Sequence, residues 1–278
     1  MNLKEISCLL VALILKHRPR LFNVKNKVIR LYNITFDRIK YSIFRINLKK
    51  KQNGKNYLSN NNGISVVLCK GYSLVNFLES KIDFDLVILV NFDSKLKKFS
   101  TLFEKIGNKP VVIISSNDEQ ILNYRIRRKL NIYSVYNRIS TESESQFKKL
   151  RIRRRLEAYG RKVDSLFPHI DNDTLENEIQ NTGLAGIRFA SLYFKEIHIY
   201  GLDFYSSNYL TGGQIDFNNL KKKRGLDQDG FGSFLFNNFL KICEQFKNNL
   251  YILHTTYSNY DKLEVPNLKL RQVQFPSA

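Results

Sequence analysis

The chain is short of cysteine, methionine, acidic residues and long apolar runs, and most of these shortages exclude something. Its three cysteines, Cys8, Cys69 and Cys243, are odd in number, widely spaced and form no CxxC pair. That argues against a disulfide framework or a zinc site and for a reducing compartment, with the thiols packed as small hydrophobes. About 20 apolar residues are needed to span a bilayer, and the mostly apolar "ISCLLVALIL" (6–15) is ten residues long. It lacks the small-residue cleavage site of a signal peptide, and most of its flanking positive charge follows it. There is no GxGxxG and no Walker loop, so dinucleotide and P-loop readings fail. RRM, KH, zinc-finger and helix-turn-helix patterns are also missing, which leaves nucleic acid binding supported by charge alone.

Acidic residues number 25 against 45 Lys and Arg, a net charge of +20. Residues 1–60 carry +12 and residues 121–162 carry +10, so the remainder stands at −2. Two basic segments therefore ride on a nearly neutral domain, and such patches attract polyanions or an anionic membrane surface. The single Met and the Lys/Asn/Ile bias fit AT-rich coding, but the arginines of "RIRRK" (125–129) and "RIRRR" (151–155) do not. The segment after "KHRPR", "KNKVIRLYNITFDRIKYSIFRI", repeats apolar residues every three or four positions with Lys and Arg between. It suits a basic helix, packed on the core or lying on anionic lipid.

An Asn-rich break, "KKKQNGKNYLSNNNG" (49–63), separates this arm from the rest. The expected organisation is a basic N-terminal arm over 1–61 and one domain over 62–278. Beyond the break come "ISVVLC" (64–69), "DLVILVNF" (85–92), "PVVIIS" (110–115), "NIYSVY" (131–136), "EIHIYGLDF" (196–204), "NLYILH" (249–254) and "LKLRQVQF" (268–275). Unbroken apolar runs point to strands buried on both faces. Between them "DSKLKKFSTLFEKI", "DEQILNYRIRRKL", "SQFKKLRIRRRLEAYG" and "GSFLFNNFLKICEQF" have helical periodicity. The alternation predicts an α/β, Rossmann-like domain with a mostly parallel sheet flanked by helices.

Ligands of such sheets sit at the strands' carboxyl ends. Four strand-end or helix-start segments stand out. "LCKGYSL" (68–74) is a strand-to-helix turn with Lys70, Gly71 and Ser73; "VNF" (90–92) ends a strand on Asn91. "NTGLAGIRFASLYF" (181–194) opens a helix at Thr182 and Gly183 with small residues that allow tight packing on the sheet. "KEIHIYGLDFYSSNY" (195–209) ends a strand and then presents Asp203, Tyr205 and Tyr209. Asp203 reads as the residue that holds the turn.

In order and spacing these four blocks resemble the bacterial sialyltransferases of glycosyltransferase family 42, and the wider group of CMP-nonulosonic-acid transferases, over roughly 62–260. The resemblance implies a single GT-A-like domain with a small lid around 206–232. It also implies an enzyme that needs no metal or other cofactor, with a CMP-activated sugar as donor and a glycan or lipid-linked glycan as acceptor. By position, Lys70, Gly71 and Ser73 would contact the donor phosphate or ribose, Asn91 would lie near the nucleotide, and Thr182 and Gly183 near sugar or cytidine. Tyr205 and Tyr209 would donate hydrogen bonds to the departing phosphate, stabilising the charge that grows there.

Two departures stand out. Lys70 replaces the family's Asn before the glycine, exchanging an amide for a cation. The segment "KKKRGLDQDGFGS" (221–233) has no His where the family keeps its general base. Asp227 and Asp229 are the substitutes, since a carboxylate within reach can deprotonate a hydroxyl; His254 and His169 are the other candidates, and His17 and His198 look uninvolved. The expected location is the cytoplasm, peripheral on the inner face of the cytoplasmic membrane. The alternatives are a degenerate relative acting as a binding or scaffold protein and, behind it, a nucleic-acid-binding protein.

Overall fold

In the computed structural model the chain separates into two compact units, Met1–Asn53 and Gly54–Ala278. The structure describes residues 62–92, 99–115, 130–137, 181–206, 228–258 and 265–274, with the isolated positions Asn47 and Leu58. The rest of the N-terminal arm, the "RIRRK" and "RIRRR" segments, Tyr209, Asp227, His17 and His169 lie outside the described residues.

Seven strands form one all-parallel sheet. In chain order they are β1 (Ile64–Leu68), β2 (Leu86–Val90), β3 (Pro110–Ser115), β4 (Asn131–Asn137), β5 (Glu196–Tyr200), β6 (Leu250–Thr255) and β7 (Leu268–Gln272). Four helices are described: α1 (Leu74–Glu79), α2 (Phe99–Ile106), α3 (Thr182–Tyr193) and α4 (Gln228–Gln245). The inner apolar runs become strands because they are covered on both sides; all five residues of β2 and all six of β3 are buried. β4 is an edge strand yet its central residues are buried, whereas β7 at the other edge is largely exposed.

The strand order is β4-β3-β2-β1-β5-β6-β7. The chain starts in the middle, builds outward to β4, then returns to the other side of β1. Right-handed crossovers in opposite directions put their helices on opposite faces. Phe77 of α1 packs its ring, tilted, against those of Phe84 and Tyr200 on one face. On the other, α3 and α4 pack Leu184, Ile187, Phe189, Leu235, Phe239 and Ile242 over Val67, Ile88, Val112, Ile197, Ile199, Tyr251 and Leu253. Nine of the 12 residues of α3 are buried, so this helix is a core element with no broad wet face. Between the diverging halves, at the carboxyl ends of β1 and β5, the fold leaves its topological switch point.

Helix α4 begins four residues before the periodic run "GSFLFNNFLKICEQF", so residues 228–232 of the expected lid are its first turn. β7 stops at Gln272, three residues short of its expected end. No helix among the described residues is long and apolar enough to cross a membrane.

Candidate functional site

The β1 and β5 ladder continues past the strands into the switch point. Cys69 N–H donates to the Tyr200 carbonyl (2.8 Å) and Gly71 N–H to that of Gly201 (2.9 Å). The two loops run so close that neither glycine tolerates a side chain. A Cβ at Gly71 would lie 2.4 Å from Asp203 Oδ2, and one at Gly201, where φ is +72°, would lie 2.4 Å from the Cys69 carbonyl oxygen. Gly71 therefore leaves room for a buried carboxylate, a reason the sequence did not reveal.

Asp203 sits at the centre, 4% exposed. Its Oδ2 accepts from Ser73 N–H (3.0 Å) and its Oδ1 from Thr256 N–H (3.0 Å). One side chain thus ties together the loops after β1, β5 and β6, the turn-holding role expected of it. The Ser73 hydroxyl is fully buried and accepts from Gly201 N–H (2.8 Å), bracing the same crossing from the other side. Burial first, then the Asp203 charge, pushes the Cys69 thiol up to about 12, so it stays protonated and inert.

Helices α3 and α4 both lead into strands and run antiparallel to them, which brings their N-termini to this rim. At α3 the Asn181 side chain caps the helix, accepting from Gly183 N–H (2.6 Å) and Leu184 N–H (3.4 Å). Of these, the Gly183 amide belongs to the pair that the resemblance puts near sugar or cytidine, and it has an internal partner. Thr182 and Gly183 are buried against the loops after β1 and β5: a Cβ on Gly183 would be 3.2 Å from Cys69 Sγ and 3.0 Å from Leu202. Asn91 ends β2 in left-handed backbone (φ +49°), with its N–H on the Ile114 carbonyl (2.9 Å) and Ser115 Oγ at a long 3.5 Å from its Oδ1.

Tyr205, half-buried, stands two residues beyond Asp203 with its ring 5.1 Å from that of Phe231 in the first turn of α4. Asp229 belongs to that same turn, two positions before Phe231. The fold thus brings Lys70, Gly71, Ser73, Thr182, Gly183, Tyr205 and Asp229 to one rim, with Asn91 one strand further out.

A hydroxyl cluster unread in the sequence completes the rim. Ser206 Oγ lies 2.9 Å from Thr256 Oγ1, Thr255 Oγ1 donates to the Leu202 carbonyl (3.1 Å), and Ser233 Oγ lies 3.1 Å from the Tyr257 hydroxyl. The run "HTTY" directly after an apolar strand was the available signal.

The remaining histidines lie elsewhere. His254 faces away from α4, its ring stacked on Tyr200 at 4.1 Å. Burial, then the positive charges of Arg271 and His198, lowers it to about 4, so it is neutral at physiological pH. His198 bonds Glu196 at 2.6 Å, and burial pulls it below its ordinary value despite that carboxylate. Among the described residues no three His, Cys, Asp or Glu side chains gather as a metal-binding group. Compared with known proteins, the chain matches no family model, no curated protein and no solved structure.

Proposed function

We propose that the protein is an inverting, GT-A-like glycosyltransferase moving sialic acid, or a related nonulosonic or Kdo-type sugar, from a CMP donor to a surface glycan or lipooligosaccharide acceptor. The observation that carries this reading is the position of Tyr205 at the switch-point crevice, on a loop tied through Asp203 to the Gly71–Ser73 turn. The four-block resemblance supplies the substrate class.

In this scheme the glycosidic bond breaks through an oxocarbenium-like state, and its electron pair goes to the phosphate oxygen of CMP. Tyr205 donates a hydrogen bond to that oxygen, with Tyr209 as second donor. The oxygen gains charge only as the bond breaks, so a preplaced donor favours the transition state over the ground state. Lys70 adds positive charge beside the phosphate, and no metal is required. Asp229 or Asp227 accepts the acceptor hydroxyl's proton as the new bond forms on the opposite face of the sugar, inverting it. The basic arm and "RIRRR" hold the enzyme at the anionic inner leaflet, beside lipid-linked acceptors.

The test is CMP release from CMP-sialic acid with and without deacylated lipooligosaccharide. Acceptor-dependent release is expected, falling about a hundredfold in Tyr205→Phe, the usual loss for one oxyanion donor. Equal release by Tyr205→Phe and wild type would remove Tyr205 from the chemistry, and Asp229→Asn tests the base. One observation favours a second reading, a binding protein without turnover: residues 221–233 hold no His where the resemblance puts the general base. A CMP-induced rise in melting temperature without release from any CMP-sugar would select it.

A further inference from the structure

Among the described residues, left-handed backbone outside glycine is confined to the carboxyl end of the sheet. The non-glycine residues with positive φ among those described are Asn91 (49°), Phe204 (46°) and Tyr205 (64°). All follow the carboxyl ends of β2 or β5, the two strands flanking β1. Asparagine visits this region readily, but a bulky aromatic does so at a cost, because its Cβ crowds the carbonyl oxygen. Two aromatics in succession occupy positions where turns of this hand take Gly, Asn or Asp.

The turn is held from three sides. The Asp203 carbonyl accepts from Ser206 N–H (2.7 Å) and Ser206 Oγ (2.6 Å), closing it. The Phe204 ring is buried, edge-on to Phe236 at 5.1 Å and tilted against Tyr257 at 5.3 Å. Helix α4 presses so near that a Cβ at Gly232 would lie 2.7 Å from the Phe204 carbonyl oxygen. Strain of this kind persists only where the surroundings over-determine it, and it clusters at ligand sites. A turn with no task beyond reversing the chain would carry Gly or Asn at its centre.

We infer that Phe204–Tyr205 is a preloaded presentation turn: the buried Phe204 ring pins a strained backbone that holds the Tyr205 phenol at the crevice, ready for a nucleotide phosphate before one arrives. This rests on reading the crevice as a nucleotide site. Ordering Tyr205 in advance removes its entropy cost from binding and from the chemical step.

Melting temperatures of Tyr205→Ala, Tyr205→Gly and Tyr205→Phe, with and without millimolar CMP, test it. Both small variants lose the ring equally, so their difference reads the backbone. At ordinary φ alanine is the more stable; here glycine is expected to melt about 2–4 °C higher. Tyr205→Phe keeps ring and backbone, so it is expected to melt with the wild type yet lose most of the CMP-induced rise. Alanine equal to or above glycine overturns the strained turn, and Tyr205→Asn gives the same comparison if the glycine variant fails to fold. A full CMP response in Tyr205→Phe overturns the presentation role while leaving the nucleotide reading intact. A wild type that ignores CMP overturns the nucleotide reading and the role given to the phenol together, with the glycine–alanine order still reporting on the backbone.

Discussion

The two halves of the sheet, outward from β1, are built from different chemistry. β2 and β3 read LVILV and PVVIIS, with no titratable side chain and every residue buried. β5 and β6 read EIHIY and LYILHT and place Glu196, His198, Tyr200, Tyr251 and His254 within the sheet. The switch-point ties also run mainly to the second half, through Gly201, Asp203, Thr255 and Thr256. β2 and β3 form a scaffold held by apolar burial, and the strand tyrosines of the first half are confined to its edge strand β4. The second carries polar groups that must each find a partner or stay neutral, and that is the half that builds the rim.

The comparison breaks most visibly in the scaffold. Ile88→Ala opens a cavity beneath α3, where that side chain is packed, and a loss of about 2–5 kcal/mol is expected in urea unfolding, unchanged across pH 4 to 7. Less than 0.5 kcal/mol would mean that this half is not packed as described.

Next comes Asp203→Asn. The amide keeps the shape but offers an N–H group to one of two backbone N–H donors, leaving that donor buried and unpaired. About 1–3 kcal/mol is expected, together with a weaker CMP response, because the Gly71 turn and Tyr205 lose their common anchor. Unfolding titrations with and without CMP check both.

The pH dependence sharpens the contrast. His254 drops from 6.5 to about 4 through burial, then the Arg271 and His198 charges, and His198 moves the same way. Both favour the neutral ring when folded, so the unfolded chain takes up protons first. Stability is therefore fully present above about pH 6.5 and falls as pH drops toward about 4. His254→Phe is expected to flatten much of that slope; an unchanged slope would assign it to other groups.

The smallest effect is Tyr251→Phe. The Tyr251 hydroxyl meets Ser191 Oγ at 2.8 Å, and that oxygen also donates to the Ile187 carbonyl (2.8 Å). Removing the phenol hydroxyl leaves Ser191 its second partner, so about 1 kcal/mol or less is expected in unfolding titrations.

Sequence and structure agree most where burial decides. The uninterrupted apolar runs are strands buried on both faces, and the two more polar candidates, β4 and β7, join the sheet as its edges. The small residues of "NTGLAGI" pack as expected, with a Cβ at Gly186 only 2.8 Å from Val90. Asp203 and Asn181 illustrate the limit. Nothing near Asp203 in the chain announces partners 53 and 130 residues away. Asn181 is only the residue before Thr182 and Gly183 in the sequence, whereas in the fold its side chain caps that helix start. Tyr205 was legible as a phenol at a strand end, but not as one held in left-handed backbone.

Local composition alone determined the α/β alternation, the parallel character of the sheet and the charge imbalance, because hydrophobic periodicity and charge are properties of short segments. Only the tertiary structure decided the strand order, the switch point between β1 and β5, and the crossing in which Gly71, Ser73, Gly201 and Asp203 lock together. The reason is distance along the chain. Contacts that close loops of more than a hundred residues are selected by the packing of the whole sheet, and no short stretch of sequence encodes its partner.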